Sequence, residues 1–344
     1  MGQLVECVPN FSEGRNVETI DAICDAIKSI PNVSLLDVDM GADFNRTVIT
    51  FVGLPDDVLE AAIASTRVAF DLIDMRIHSG EHARMGAVDV VPFIPIRDIT
   101  MEECVELSKR YAESIAKEYN LPIYLYAHSA RVSERTRLPD IRRGEYEGLA
   151  DKLANAEWQP DYGSSSFNPT LGATATGGRS ILIAYNVNLD TDDKIAANRI
   201  AGKLRTSGVL RKDEDGQKII GDDGKPERIP GRFQSLQAAG WMYNENIAQI
   251  SMNLLDYSIT GLHSVTDAIH TEAESMGLKV TAGELVGLVP LNALLDAGRH
   301  YIDDDDVHDS RILVNAAIKG LKLDILDEFI AEQRVIEWAA EVSV

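Results

Sequence analysis

One order of strand and helix patterns occurs twice along this chain, and that order restricts the fold more than any other feature. In the first 130 residues, apolar positions three and four apart predict helices, and short apolar runs bounded by turn residues predict strands. Two successive strands between helices are typical of a split βαβ, ferredoxin-like unit rather than a purely parallel sheet. The predicted strands are 4–9, 33–39, 47–52, 88–96 and 123–126, and the predicted helices are 17–30, 55–73 and 100–119.

The second half has the same order of patterns, although the similarity lies in the elements and not in the residues. With 344 residues and about 150 per domain, the chain has room for two units that each bury a core. We therefore predict an α/β (α+β) fold of two ferredoxin-like subdomains, with sheets packed between outer helices. The subdomains are placed at 1–178 and 179–325, with a C-terminal tail at 326–344. The predicted strands of this half are 179–189, 233–243, 248–257 and 279–282, and the helices are 191–207 and 262–276.

The charge balance restricts the partners of the chain. The 33 basic and 55 acidic residues give a net charge of -22, and a field of that sign repels nucleic acid and anionic lipid. Cys7, Cys24 and Cys104 are odd in number and far apart, which favours a reducing compartment over a disulfide framework. No apolar run reaches the ~20 residues of a membrane helix, and the N-terminus has no secretory pattern. We therefore expect a cytoplasmic protein.

Three polar segments depart from the strand and helix patterns. Residues 145–178 contain the run GSSSFNPTLGATATGG, which predicts a loop, either a plain linker or a loop with packed apolar residues. Residues 211–228 are predicted to form an exposed excursion with a hairpin tip at GDDG. The acidic run 303–306 lacks the alternating ligands and the glycine of an EF-hand, so it is interpreted as solvated surface.

The stretch DMRIHSGEHARMGAVD, residues 74–89, has the densest set of reactive side chains and directly precedes a predicted buried strand. Three interpretations are open. His78, Glu81 and His82 have the H-x-x-E-H spacing of inverted zincins, but Gly80 inside the would-be helical turn disfavours a zinc site. Alternatively, the histidines only cap and hydrogen-bond the loop. In the third interpretation His82 moves a proton, because an imidazole with a pKa near ~6.5 accepts and returns a proton near neutrality.

Six segments together resemble one known family. They are LVECVPNFSEGRN (4–16), LLDVDMGADFNRTVITFVG (35–53), HSGEHARMGAVDVVPFIPI (78–96), IRRGEYEGL (141–149), GATATGGRSILIAYNVNL (172–189) and GELVGLVPLNALL (283–295). On these segments the chain resembles the stand-alone glutamate formimidoyltransferases. These are equivalent to the transferase half of the bifunctional formimidoyltransferase-cyclodeaminases, and the resemblance covers nearly the whole chain.

The resemblance implies a reaction and a set of site residues. The expected reaction moves the formimidoyl group of N-formimidoyl-L-glutamate to N5 of tetrahydrofolate, a one-carbon transfer in histidine degradation. The enzyme is expected to be a homodimer, with tetrahydrofolate as co-substrate and no metal. The family's catalytic histidine matches His82, and the family more often has proline where this chain has Ser164. The family's folate-contacting loop matches Gly163, Ser164, Ser165, Ser166, Phe167, Asn168, Pro169, Thr170, Leu171 and Gly172.

Anionic substrates require local cations in an acidic chain. Because arginine binds carboxylates bidentately, the candidate ligands are Arg46, Arg84 and Arg179. The alternative interpretation of each is an arginine that only forms an ion pair at the protein surface. Asp39, at the end of a predicted strand, either orients His82 or the substrate amidine, or only caps the GADFN turn. Two other functions stay open: a zinc metallohydrolase built on the H-x-x-E-H motif, and a non-catalytic folate-binding protein with the same fold.

Overall fold

The chain forms two compact units. Unit 1 comprises Met1–Ser180 and Ala340–Val344, and unit 2 comprises Ile181–Ala339. No helix in the described part of the chain is long and apolar enough to cross a membrane. The computed structural model describes residues 2–221, 224–302 and 306–342.

Unit 1 is built on one seven-stranded sheet. Its elements are β1 (Leu4–Cys7), β2 (Asn10–Phe11), α1 (Val17–Lys28), β3 (Val33–Gly41), β4 (Arg46–Gly53), α2 (Pro55–Leu72), β5 (Val88–Arg97), α3 (Met101–Tyr119), β6 (Ile123–Leu125), α4 (Leu138–Arg142), α5 (Leu149–Ala154) and β7 (Thr174–Gly178). The spatial order is β3-β4-β1-β5-β7-β6, and β2 continues β1 between β4 and β5. β5, β7 and β6 are parallel neighbours, and the other pairs are antiparallel. The stretch from β1 to β5 therefore has the predicted ferredoxin-like order, with β7 and β6 added beyond β5.

The three long helices of unit 1 bury their apolar stripes against one face of this sheet. α1 buries Ile20, Ile23 and Ile27, as the helical spacing of these residues predicts. α3 begins at the predicted capping box, in which Thr100 and Glu103 each accept a hydrogen bond from the other's backbone N–H. The opposite face of the sheet has a polar part and an apolar part.

That opposite face is polar near β4. Alternate residues of a strand point to opposite faces, and Ile49 and Phe51 lie in the helix-covered core, so Arg46 and Val48 point the other way. Asp39 of β3 pairs with Val48 and shares its face. Towards β6, a second apolar cluster from α4 and α5 covers the same face. The polar end of this face is therefore where a site can form.

Unit 2 is built on a four-stranded antiparallel sheet. The elements after β7 are β8 (Ile183–Leu189), α6 (Lys194–Leu204), β9 (Val209–Leu210), β10 (Arg228–Ile229), β11 (Leu236–Asn244), β12 (Ile247–Leu254), α7 (Leu262–Ser275), β13 (Val280–Val286), α8 (Leu291–Tyr301), α9 (Ser310–Gly320), α10 (Ala331–Arg334) and α11 (Ile336–Val342). The strands of the sheet lie in the order β11-β12-β8-β13. With the helices α6 and α7 between its strands, the order in the chain is β-α-β-β-α-β, which confirms the predicted repeat of a ferredoxin-like unit.

The sequence patterns missed several of these elements. β7 lies inside the segment predicted to be a loop, because its sequence TATGG has no residue with strong strand propensity except threonine. Its glycines are needed for close packing: a Cβ at Gly177 would lie 2.2 Å from the carbonyl oxygen of Tyr126. The helices α8 and α9 were also not predicted.

The excursion at 211–228 and the acidic run at 303–306 are only partly described. β9 and β10, which flank the excursion, pair as a two-stranded antiparallel ribbon, and Ile220 bridges to Pro226 near its end. The two aspartates of the GDDG tip and residues 303–305 lie outside the described residues.

Candidate active site

Most of the predicted catalytic stretch lies in an irregular loop between α2 and β5, residues 73–87, which is called the catalytic loop below. Main-chain hydrogen bonds fix both ends of this loop. The Met75 N–H donates to the Thr170 carbonyl at 2.9 Å, and the Ala87 N–H donates to the Leu171 carbonyl at 2.9 Å. The Ala173 N–H donates to the Met85 carbonyl at 3.1 Å. The structure thus brings this loop and the end of the predicted folate loop into direct backbone contact.

A second anchor for the catalytic loop is Asn45, in the turn between β3 and β4. Asn45 has a left-handed backbone with φ 49°, a conformation that asparagine tolerates better than most residues. Its side-chain amide donates to the Ser79 carbonyl at 2.9 Å, and its own carbonyl lies 2.9 Å from Nε2 of His78. Gly80 fits against this turn only without a side chain, since a Cβ there would lie 2.2 Å from the Phe44 carbonyl. This packing sets the position of His82 two residues later.

A bulge in β5 directs Asp89 to the polar face of the sheet. Phe11 pairs with Val88 and Asn10 pairs with Val90, so Asp89 is the extra residue of β5 at this point. Its carboxylate is 2% exposed and accepts hydrogen bonds from the Met85 N–H at 2.8 Å and from the guanidinium of Arg142. The bulge thus places a buried ion pair beside the catalytic loop.

His82 is half-buried next to two guanidinium groups. Nη1 of Arg46 lies 2.6 Å from its Nε2. Burial, followed by the positive charges of Arg46 and Arg142, lowers the pKa of His82 to about 4, against a smaller opposing effect of Asp89. His82 is therefore neutral at physiological pH. Because a guanidinium only donates, Nε2 is the acceptor in this contact and the ring proton lies on Nδ1, which is buried among protein atoms.

A narrow cleft joins these groups, and the space between its walls, open solvent included, is about 180 Å³. The cleft has no room for a substrate as it stands, so a substrate must widen it. Seven of its eight lining residues have polar side chains; the lining consists of Ser12, Phe44, Asn45, Arg46, His78, His82, Arg84 and Asp89.

Arg84, a predicted substrate ligand, already contacts carboxylates. Its guanidinium donates twice to Glu147, at 2.9 and 2.7 Å, and once to Glu145 at 3.3 Å. Its Nε donates to Nδ1 of His78 at 3.3 Å. These contacts connect the catalytic loop to the segment after α4, and a substrate carboxylate would have to compete with them.

Two other predicted residues lie apart from His82. Asp39 is exposed, and its charge acts on Arg46, whose face of the sheet it shares. Arg179 follows β7, where its backbone N–H donates to the Phe93 carbonyl and its guanidinium donates to the Ser180 carbonyl. Phe93 is four residues along β5 from Asp89, which corresponds to about 13 Å of strand. The structure therefore brings Arg46 to His82 and leaves Arg179 beside the middle of β5.

The predicted folate loop, from Gly163 to Gly172, has a defined structure. Gly172 has φ 72°, and a Cβ there would lie 2.1 Å from the Met85 carbonyl, so any side chain at this position would displace the catalytic loop. The ring of Phe167 packs 5.5 Å from that of Tyr146, whose hydroxyl donates to the Pro169 carbonyl at 2.5 Å. Of the two interpretations of this segment, the one with packed apolar residues is confirmed.

The H-x-x-E-H residues do not form a ligand set. His78 uses Nε2 for the Asn45 carbonyl, His82 uses Nε2 for Arg46, and Glu81 is exposed on a bend rather than on a helix. Within residues 2–221, 224–302 and 306–342, no group of three or more histidine, cysteine, aspartate or glutamate residues is arranged to hold a metal ion. The zinc interpretation of the motif has no structural support.

Sequence reasoning missed Arg142 as a site residue. Arg142 belongs to the segment IRRGEYEGL, but nothing in that segment indicates a partner. Its partner, Asp89, lies on β5, which is distant from α4 in the sequence. Asp89 was noted in the reactive stretch without a role. The bulge that orients it depends on strand register, which the alternation of side chains does not reveal.

Comparison with known proteins gives related matches for the two parts of the chain. Residues 4–179 match the N-terminal subdomain of the formiminotransferase domain, and residues 184–341 match the formiminotransferase domain. The glutamate formimidoyltransferase of Streptococcus pyogenes serotype M1 is 42% identical over 92% of this chain and 99% of its own length. The enzyme of that name from Thermoplasma acidophilum is 37% identical over 93% of this chain and 99% of its own length.

A longer relative matches through part of its length. The formimidoyltransferase-cyclodeaminase of Rattus norvegicus is 49% identical over 98% of this chain, and the chain spans 60% of the length of that protein.

Proposed function

Because the chain belongs to the formiminotransferase domain family, we propose that it is a glutamate formimidoyltransferase, with His82 as general acid and base. The donor is N-formimidoyl-L-glutamate and the acceptor is N5 of tetrahydrofolate, as in the last steps of histidine degradation. The observation that carries the role of His82 is a half-buried imidazole, neutral at physiological pH, at the meeting point of the catalytic loop, β4 and α4. A neutral imidazole has a lone pair that can accept the proton leaving an attacking amine.

The reaction requires one proton to move between two nitrogen atoms. N5 of tetrahydrofolate attacks the amidine carbon, and the new N5–C bond gives a tetrahedral intermediate. His82 takes the proton from N5 and gives it to the glutamate nitrogen, whose bond to the same carbon then breaks. The products are 5-formimidoyltetrahydrofolate and glutamate, and the proton that left N5 ends on the amino nitrogen of glutamate.

Local positive charge makes this site suitable for an anionic donor despite the net charge of -22. Arg46 and Arg142 both act on His82, and Arg142 is held in place by Asp89. Arg46 is the better ligand for a donor carboxylate, because its guanidinium contacts a neutral ring and not a carboxylate. Asp39 is then a positioning residue that acts on Arg46.

A donor screen tests the proposed reaction. We expect the purified protein to release glutamate from N-formimidoyl-L-glutamate only when tetrahydrofolate is present. N-formyl-L-glutamate in a parallel reaction measures how strongly the site distinguishes NH from O. Folate binding without any folate-dependent glutamate release would support instead the non-catalytic folate-binding function.

The loop from Gly163 to Gly172 is proposed to bind the folate. It lies against the catalytic loop through the Gly86–Gly172 bridge, and Phe167 offers a half-buried aromatic ring for a flat ligand. Gly172 is unsuitable for mutation here, because a side chain there would disturb the fold.

We expect Phe167→Ala to weaken tetrahydrofolate binding about 5- to 30-fold, which is the loss of roughly 1–2 kcal/mol of apolar contact. Fluorescence titration with a folate analogue measures the dissociation constant. Phe233→Ala is the matched control, since Phe233 is a half-buried aromatic of unit 2 that packs beside Arg232. Equal affinity for wild type and a correctly folded Phe167→Ala protein would remove this ring from the folate site.

Turnover is expected to be insensitive to metal chelation, because the proposed proton transfer uses no Lewis acid and Nε2 of both histidines in the motif contacts another residue. Dialysis against EDTA followed by the glutamate-release assay measures this. Loss of activity that zinc specifically restores would contradict the proposal and favour the metallohydrolase mechanism.

The location and assembly of the enzyme are also proposals. Three buried free cysteines suit a reducing cytoplasm. We expect a homodimer, as the family resemblance implies, and sedimentation analysis of the purified chain measures its assembly.

A further inference from the structure

The contact between Arg46 and His82 blocks the ring nitrogen that would act as the base in the proposed reaction. Nε2, the nitrogen whose lone pair would accept the proton from N5, already accepts a hydrogen bond from Nη1 of Arg46 at 2.6 Å. Nδ1 has the ring proton and is buried among protein atoms. Neither ring nitrogen can therefore take a proton from a substrate in this arrangement.

Arg46 differs from the two other guanidinium groups at the site in what it contacts. Arg142 donates to Asp89, and Arg84 donates to Glu145 and Glu147. Arg46 donates to an uncharged imidazole. A carboxylate offers a guanidinium an opposite charge and two acceptor oxygens for a bidentate pair, whereas the imidazole offers one uncharged acceptor nitrogen. Of the three, Arg46 therefore gains most from an incoming carboxylate.

We propose that Arg46 is a substrate-released latch, in which a carboxylate of the donor draws the guanidinium away from Nε2 of His82 and so opens the base. This inference rests on the proposed function, since it takes the donor to be a glutamate derivative. Arg46 thereby links recognition of the carboxylate to the readiness of the catalytic group. A formimidoyl donor without a carboxylate would leave the base closed.

The charges around His82 fix the direction of the change. Arg46 on β4 and Arg142 on α4 both lower the pKa of His82, and Asp89 on β5 raises it. The charge of Asp39 on β3 acts on Arg46, while His78 and Arg84 line the same cleft as the ring. Movement of Arg46 removes the largest charge effect, so the pKa of His82 rises from about 4 towards its ordinary value. The imidazole then becomes a better acid and base near neutral pH.

NMR of ¹⁵N-labelled histidine in the full chain tests the latch. N-acetyl-L-glutamate is the probe, because it has both carboxylates of the donor and no transferable formimidoyl group. The signal of His82 is identified by its loss in His82→Ala. In the free wild type we expect the neutral ring to have its proton on Nδ1. Saturation with the probe should raise the pKa of His82 by about one unit or more.

Two arginine variants separate the latch from a general charge effect. In Arg46→Gln we expect the pKa of His82 to be raised already without the probe, and the probe to change it little. Arg110→Gln removes an exposed arginine of α3 that pairs with Asp56, and it should behave as wild type. A probe that saturates wild type without moving the His82 titration would overturn the latch. An equal probe-induced rise in Arg46→Gln would also overturn it.

The glutamate-release assay distinguishes failure of the latch from failure of the proposed function. Wild-type protein that turns over the donor while its His82 titration does not respond to the probe supports the function and rejects the latch. The same conclusion follows if active wild type does not bind the probe at 20 mM. Absence of folate-dependent turnover rejects the function itself.

Discussion

Replacement of His82 by alanine is expected to lower kcat about 10²–10⁴-fold, which is the usual contribution of a positioned acid–base group. The affinity for tetrahydrofolate should change little, because the imidazole acts on the proton that moves between N5 and the leaving nitrogen rather than on the bound ground state. Steady-state kinetics of glutamate release give kcat, and titration with a folate analogue gives the affinity. Near wild-type turnover in His82→Ala would contradict the proposed mechanism.

The best control for this variant is His128→Ala. His128 is an exposed histidine of unit 1 in a 3-10 turn, outside the catalytic loop. His78→Ala is a poorer control, because His78 holds the loop through the Asn45 carbonyl and Arg84. We expect His78→Ala to reduce activity through loss of loop position, and a small molecule such as imidazole should rescue His82→Ala but not His78→Ala.

Replacement of Asp89 by alanine is expected to lower the free energy of unfolding by about 3–5 kcal/mol. The side chain is 2% exposed, and its removal would leave the guanidinium of Arg142, itself 14% exposed, without its carboxylate partner. The Met85 N–H would lose its acceptor as well. Urea unfolding followed by circular dichroism measures the change.

Two further variants show whether the loss comes from an unpaired buried charge. In the double variant Asp89→Ala/Arg142→Ala, part of the stability should return, since no uncompensated guanidinium remains. Glu227→Ala breaks the exposed pair of Arg211 and Glu227 and should cost no more than ~1 kcal/mol. A double variant less stable than Asp89→Ala by the full cost of Arg142→Ala would show that the two side chains do not interact.

The sequence predicted the order of the main elements because each long helix and strand has its own periodic pattern. The capping box at Thr100 and the four-strand order of unit 2 are examples. β7 could not be predicted in the same way. It is made of small residues that suit the middle of this sheet only because Tyr126 and α3 lie close to it.

The candidate site was partly predictable for the same reason. His82 and Arg46 belong to distinctive sequence segments, and the structure places them in contact. The pairing of Arg142 with Asp89 depends on a bulge and on contact over 53 sequence positions, and neither is encoded in a local pattern. The family resemblance supplied the folate loop, but only the structure shows that its end pairs with the catalytic loop.

The position of β7 between β5 and β6 also has a consequence for the time at which the site forms during folding. The hydroxyls of Thr174 and Thr176 donate to carbonyls of β5 that lie 86 and 85 positions earlier in the chain. Contacts of such long sequence separation form late, because a large loop must close before they can stabilise it. During synthesis on the ribosome, some 80 further residues must therefore be added after β5 before β7 and the end of the folate loop can pack against the catalytic loop. We expect these contacts to form after the transition state of folding, so a ligand that bridges this loop and the folate loop should slow unfolding more than it speeds folding.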